Sequence, residues 1–196
     1  MSILLKNAIL SHMASGNIDI VPFNPNRLNA NSYDLTLGRK MLVLAPNSRV
    51  LDPKRDLSTN YMSVVTEIDN DGQEYFVLYP QQLYLGVTQE FTNTKGLVPI
   101  MEGKSSLARM GVSVHKCAGF GDDGFAGHWT LEIEVSRPIR LYVGMPIGQL
   151  VYHTIEGEST AEYQNSGSYN NDEAVPGIPN TWKKWGKYFP ELSGKS

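Results

Sequence analysis

Between residues 129 and 135 the chain alternates strictly. Leu131, Ile133 and Val135 fall on one side, Thr130, Glu132 and Glu134 on the other. A period of two sends successive side chains to opposite faces, so this stretch predicts a half-buried strand with an apolar core face and a carboxylate-bearing open face. The same pattern recurs at Tyr33, Leu35 and Leu37 and at Leu83, Leu85 and Val87. Residues 41–44, 74–78, 139–143 and 147–153 read as further strands. Glycine and proline break these runs at short intervals, which predicts an all-β barrel or sandwich. The exception is residues 2–14, where Ile3, Leu4, Ile9, Leu10 and Met13 precede Gly16, the pattern of a short amphipathic helix ended by a glycine.

The 196 residues suit one domain, large enough to bury a core without covalent staples. With 41% hydrophobic and 19% charged residues the chain is globular in composition. A net charge of −3 without a long basic run argues against binding to a nucleic-acid backbone. An anionic substrate would therefore need locally placed cations, and Lys104 and Arg109 are the candidates. Cys117 is the only cysteine, which excludes an intrachain disulfide. No run approaches the ~20 apolar residues of a membrane span, and no signal peptide is legible, so the expectation is a cytoplasmic protein without a membrane partner. A phage protein acting in a host cytoplasm reads the same way. Residues 52–72 are polar and poorly patterned, as in a long excursion. Residues 157–179 are rich in Gly, Ser, Asn and acids and predict a mobile segment. Trp182, Trp185, Tyr188 and Phe189 beyond it predict a tail that docks on its own subunit or a neighbour. The division is thus a barrel over 1–156 and a C-terminal lid and tail over 157–196 of the same domain.

Chemistry-bearing residues concentrate between 102 and 132. Gly103-Lys-Ser-Ser106 lacks the glycine-rich approach of a phosphate-binding P-loop. Its ordinary reading is a serine-rich turn capping a short helix. Taken alone, Glu132 reads as a solvated carboxylate, and Asp122 and Asp123 read as turn formers among glycines. His115, Cys117 and His128 match no closed zinc pattern. The zinc nucleobase deaminases require His-x-Glu with Pro-Cys-x-x-Cys, which a chain with one cysteine cannot supply. No metal ligands are assigned.

Taken together and in order, the motifs resemble those of the dCTP deaminases, relatives of the trimeric dUTPases. Asn31-Ser-Tyr-Asp-Leu-Thr-Leu-Gly38 resembles the family's S-x-D-L-x-L-G. Gly103-Lys-Ser-Ser-Leu-Ala-Arg-Met-Gly111 resembles G-[RK]-S-S-x-x-R-x-G. Ala118-Gly-Phe-Gly-Asp-Asp-Gly-Phe-Ala-Gly127 resembles A-G-[WF]-I-D-x-G-[WF]-x-G. Thr130-Leu-Glu132 resembles T-L-E, and Gly144-Met-Pro-Ile-Gly-Gln-Leu150 resembles G-x-x-I-G-Q-L. The likeness runs from the first helix to about Tyr163.

The resemblance implies a distorted, dUTPase-like and jelly-roll-like β-barrel, assembled as a homotrimer with sites between subunits. It implies deamination of dCTP to dUTP with a water activated without metal, continuing to dUMP and diphosphate in the bifunctional type, which Ala118-Gly-Phe120 resembles more closely. Glu132 would be general base and proton shuttle. The Ala118 carbonyl, Ser105 and Arg109 would position the water. Lys104, Ser106 and Gln149 would contact phosphates, and Leu107, Ala108, Thr130 and Leu131 would complete the nucleotide contacts. Asp122 would hold the 3′-hydroxyl, at the position where dUTPases activate water. Phe125 would stack on deoxyribose and Tyr163 would close over the nucleotide. Magnesium would accompany the triphosphate, and dTTP becomes a candidate inhibitor. The chain departs from the family where Gly121 replaces isoleucine, where Asp123 replaces a proline or small residue, and where Tyr169-Asn-Asn-Asp172 replaces a lid of the form K-Y-x-x-Q. Asp123 is expected to sit beside the polyphosphate as an extra carboxylate. The other readings are a dUTPase of the same fold without deamination, a deaminase retuned to a related cytosine deoxynucleotide, and a catalytically silent nucleotide-binding regulatory trimer.

Overall fold

The computed structural model describes residues 2–46, 50–159, 163, 167–170, 173–180 and 183. Eleven strands and two short helices are present among them. The tail aromatics Trp182, Trp185, Tyr188 and Phe189, and Asp172 of the altered lid, lie outside the described residues.

The first helix is shorter than its apolar pattern predicts. Helix α1 spans Lys6–Ala14. Residues 2–4 are extended instead, with the Leu4 N–H donating to Tyr152 O and Ile3 bridging His153. Pairing with a sheet edge satisfies these backbone groups and overrides the weak local helical preference. Gly16 closes the helix at φ +76°, as its position in the sequence implies.

The main sheet contains β1 (Ile18–Val21), β2 (Tyr33–Leu44), β3 (Tyr61–Ser63), β6 (Tyr84–Thr94), β7 (Leu97–Gly103), β8 (Val112–Ser113), β9 (Ala126–Val135) and β11 (Pro146–Thr154). Its order is β7-β11-β2-β6-β9-β8, with β1 on β6 and β3 on β2. A smaller sheet is made of β4 (Glu67–Ile68), β5 (Glu74–Leu78) and β10 (Ile139–Tyr142) in the order β10-β5-β4. The main sheet curls almost into a closed barrel. Residues 119–121, just before β9, return to β7 through Met101 N–H to Gly119 O (2.6 Å) and Gly121 N–H to Pro99 O (2.8 Å). Pro99 has no N–H to offer a neighbour, which suits this partly paired edge.

The apolar faces predicted from the alternation fill the core. Tyr33, Leu35, Leu37, Leu131, Ile133, Leu150 and Tyr152 are completely buried. Each such aliphatic side chain contributes roughly 1.5–3 kcal/mol of transfer free energy. One carboxylate is buried with them. Glu90 Oε2 accepts from the Thr36 N–H (2.8 Å), and its Oε1 accepts from the Thr36 hydroxyl (2.8 Å) and from Arg27 Nη1 (2.5 Å). Those partners make its burial tolerable. The polar excursion over 52–72 is largely irregular but carries a 3₁₀ turn at Ser58–Asn60 and the short strands β3 and β4.

Candidate active site

Strand β9 builds the floor of the site. Its burial alternates residue by residue along the whole strand. Trp129, Leu131, Ile133 and Val135 point inward, while His128, Thr130, Glu132 and Glu134 face the open side. The loop of residues 118–125 rises beside this face. It is held to the β6–β7 turn by Gly124 N–H to Thr94 O (2.9 Å) and Thr94 N–H to Phe125 O (3.2 Å). Between loop and strand lies a cavity of about 310 Å³, walled by Ala118, Asp122, Phe125, His128, Thr130, Glu132 and Tyr163 among others.

Glu132 is half-buried in this cavity. Its Oε2 accepts a hydrogen bond from the Lys116 N–H at 3.1 Å. Among the described residues nothing donates to Oε1, and the side chain lines the cavity. The Lys116 ammonium is turned to Glu134, 2.9 Å away. That partner holds the Lys116 pKa above its ordinary value, and Glu132 adds a smaller push in the same direction.

A cluster of tilted aromatic rings forms the other wall. The Phe125 ring packs on Trp129 with centroids 4.8 Å apart and on Tyr163 at 6.0 Å. Trp129 is anchored by its indole N–H to Thr92 Oγ1 at 2.9 Å. Burial raises the Tyr163 pKa above the usual phenol value, and the negative charge of Asp122 raises it further. Gly121 is required by this packing. A Cβ at that position would stand 2.6 Å from the Trp129 ring and 2.9 Å from Pro99 Cγ. The glycine at this position is thus the complement of a large indole.

The C-terminal segment contributes contacts that the strand pattern does not reveal. Tyr169, Gly177 and Pro179 line the same cavity. The Gly177 N–H donates to Thr130 Oγ1 (2.7 Å). Asn170 bridges the Tyr163 carbonyl (2.7 Å) and the Ala126 N–H (3.3 Å). His128 and Trp129 also line the cavity. The alternation of β9 could have flagged His128, but nothing in the sequence could have flagged Gly177.

The single chain does not bring every predicted residue to this cavity. Ser105, Ser106, Ala108 and Arg109 sit exposed on α2 (Ser105–Arg109), away from Glu132's pocket. The Arg109 guanidinium folds back on the Ser105 carbonyl at 2.9 Å. Leu107 and Leu131 bury their side chains in the core, so only their backbone can face a ligand. Lys104 and Gln149 form a second cluster. Lys104 Nζ is 2.6 Å from Asp34 Oδ1, which also accepts from Asn29. Gln149 donates to Gly103 O (3.0 Å) and accepts from Ser32 (2.7 Å). Asp123 does not wall the cavity. It accepts from the Gly96 N–H at 2.7 Å and from the Ser159 hydroxyl.

Fold and cavity together define a mainly β, barrel-like protein with a cavity between a carboxylate and an aromatic wall. A family profile described as dCTP deaminase-like matches residues 3–155. The chain belongs to the dCTP deaminase-like family. It is 43% identical over 173 residues to a "dCTP deaminase, dUMP-forming" from Clostridium botulinum, covering 88% of this chain and 93% of that one. A protein of the same description from Leptospira biflexa is also 43% identical over 173 residues, covering 88% and 92%. The fold resembles the crystal structure of the 2′-deoxycytidine 5′-triphosphate deaminase of Agrobacterium tumefaciens. There the TM-score is 0.65 at 20% identity, over 79% of this chain and 49% of that one, so the chain spans about half of that protein's length.

Proposed function

We propose that the chain deaminates dCTP and carries the product on to dUMP and diphosphate. The observation that carries the reading is Glu132, which has one carboxylate oxygen free among the described residues and lines a cavity walled by Ala118 and the Phe125 cluster. The description "dUMP-forming" of relatives 43% identical supports the second step. In the first step Glu132 takes a proton from water as the oxygen attacks C4 of cytosine. It delivers that proton to N3, then takes the proton of the new C4 hydroxyl and passes it to the amine, which leaves as ammonia as the C4 carbonyl forms. The Ala118 carbonyl, in the wall of the same cavity, would accept from that water. In the second step a water assisted by Asp122 attacks the α-phosphorus of dUTP and expels diphosphate.

The Phe125 ring, braced by Trp129 and Tyr163, would lie against the deoxyribose and collide with a 2′-hydroxyl. The cavity wall contains no Lys or Arg among the described residues. The triphosphate therefore calls for Lys104, Ser106, Arg109 and Gln149 of a neighbouring copy, with Ser105 and Arg109 completing the water site. Magnesium fits as an ion carried by phosphate oxygens and waters, since no cluster of three or more metal-binding side chains occurs among the described residues. Inhibition by dTTP belongs to the same reading, as does a role in supplying dUMP for dTTP synthesis.

The test is incubation with dCTP, dUTP, dCMP and CTP, with and without magnesium, with products resolved by chromatography. Ammonia, dUMP and diphosphate from dCTP, with little turnover of CTP, are expected. Ammonia with dUTP alone would remove the second step. Diphosphate from dUTP without ammonia would mark a dUTPase, and binding without turnover a regulatory protein.

A further inference from the structure

We propose that Asp123 is a positioning residue, latching the start of the C-terminal segment to the loop that carries Asp122 and Phe125 and so setting Tyr163 over the cavity. The proposal rests on the nucleotide reading above for its effect on turnover, but the latch itself is a statement about this chain. A turn-forming aspartate satisfies backbone groups a residue or two away. The partners of Asp123 are remote in sequence. One oxygen accepts from the Gly96 N–H at 2.7 Å, in the turn between β6 and β7, and the other accepts from the Ser159 hydroxyl beyond the end of β11. One carboxylate thus joins three separate stretches through its two oxygens.

The latch stands just upstream of the aromatic wall. Tyr163 lies four residues beyond Ser159, with its ring on Phe125. Asn170 then ties the Tyr163 carbonyl to the Ala126 N–H. Tyr163 is therefore held from both directions, by Ser159 before it and Asn170 after it, and both holds return to the loop and strand that carry Phe125. The adjacent carboxylates divide the work: Asp122 lines the cavity, and Asp123 does not. A proline or alanine at 123 has no side-chain acceptor for either partner, so this fastening needs a side chain that can accept there.

The experiment compares Asp123→Ala, Asp123→Asn, Ser159→Ala and the double Asp123→Ala/Ser159→Ala in the full chain. Hydrogen exchange over residues 157–170 is read without nucleotide, and KM and kcat are read with dCTP. Asp123→Ala is expected to speed exchange there and to raise KM about five- to tenfold while kcat changes by less than about twofold. Asn keeps an acceptor for Gly96 and a polar partner for Ser159, so it should restore most of both. The double variant should be no worse than Asp123→Ala, because both changes cut one connection. Ser159→Ala alters one exposed hydroxyl and guards against a folding failure. A purely structural role would lower the melting temperature with KM unmoved. That result, unchanged exchange in Asp123→Ala, or additive effects of the two single changes would overturn the proposal. If the unmodified protein turns over no dCTP, the functional reading fails, while exchange and additivity still decide the latch.

Discussion

Glu132 stands on the open face of a strand whose other face is sealed in the core, so its side chain can be altered without disturbing packing. Glu132→Gln keeps size and an acceptor for the Lys116 N–H but cannot take a proton. Ammonia release from dCTP should fall by at least ~10²–10⁴-fold while nucleotide binding persists. Deamination near the unaltered rate would remove Glu132 from the chemistry. Gly121 sits at the opposite extreme of tolerance. A methyl group there meets the Trp129 ring at 2.6 Å and the Pro99 carbonyl oxygen at 3.0 Å. Gly121→Ala should therefore cost about 1–3 kcal/mol of stability by overpacking. Adding Trp129→Leu should relieve part of that loss, which a denaturant-melting cycle over the four proteins would reveal. Strictly additive losses would mean that Trp129 does not set the limit at this position.

At the level of elements, legibility follows the hydrophobic pattern and ends where polar groups are buried or where a partner strand decides the conformation. β9 is visible because its alternation runs unbroken, and that alternation also puts Glu132 on the open side. The second half of β6 is invisible. Thr88, Glu90, Thr92 and Thr94 are fully buried there, and the first three join hydrogen bonds from neighbouring strands rather than an apolar pattern. β7 escapes a sequence reading because it is a nearly continuous apolar run interrupted by Pro99, without a period to read. The motifs point to Ala118, Asp122 and Phe125, yet only the fold shows that Trp129 braces Phe125 and that Gly177 reaches Thr130. Long-range contacts of that kind leave no local signature. They also sharpen what the C-terminal segment does. The last strand ends at Thr154, and among the described residues beyond it only Tyr163, partly buried against the core, and the buried Pro176 add apolar packing. A chain truncated after Gly157 should then still melt cooperatively, but without the Tyr163 ring and the Gly177 contact it should bind nucleotide about tenfold or more weakly. Calorimetric titration would check this, and unchanged affinity would show that the segment lies over the cavity without contributing to it.

At the scale of the whole molecule, the residues divide between two places. One copy offers Glu132, Asp122, Phe125 and Tyr163 around a cavity whose described wall bears no Lys or Arg, and elsewhere it offers Lys104, Ser105, Ser106 and Arg109. On the proposed reading a triphosphate would need both sets, and a closed ring of copies would supply both at every interface. Light scattering should therefore find a trimer. A sharper consequence concerns mixtures. Glu132→Gln and Arg109→Ala should each be inactive as pure proteins, one lacking the base and the other the neighbour's cation. Unfolded together in equal amounts and refolded, they should regain activity. In a random trimer, a site draws an intact Glu132 from one copy with a chance of about one half, and an intact Arg109 from the next copy with the same chance. Roughly one quarter of the unaltered activity should return. If both groups of a site come from the same chain, no mixture can assemble an intact pair, and the refolded mixture stays as inactive as its components. A monomer, or a silent mixture that refolds to trimers, would place the whole site within one copy and leave the cation cluster around Lys104 without a role in binding the nucleotide.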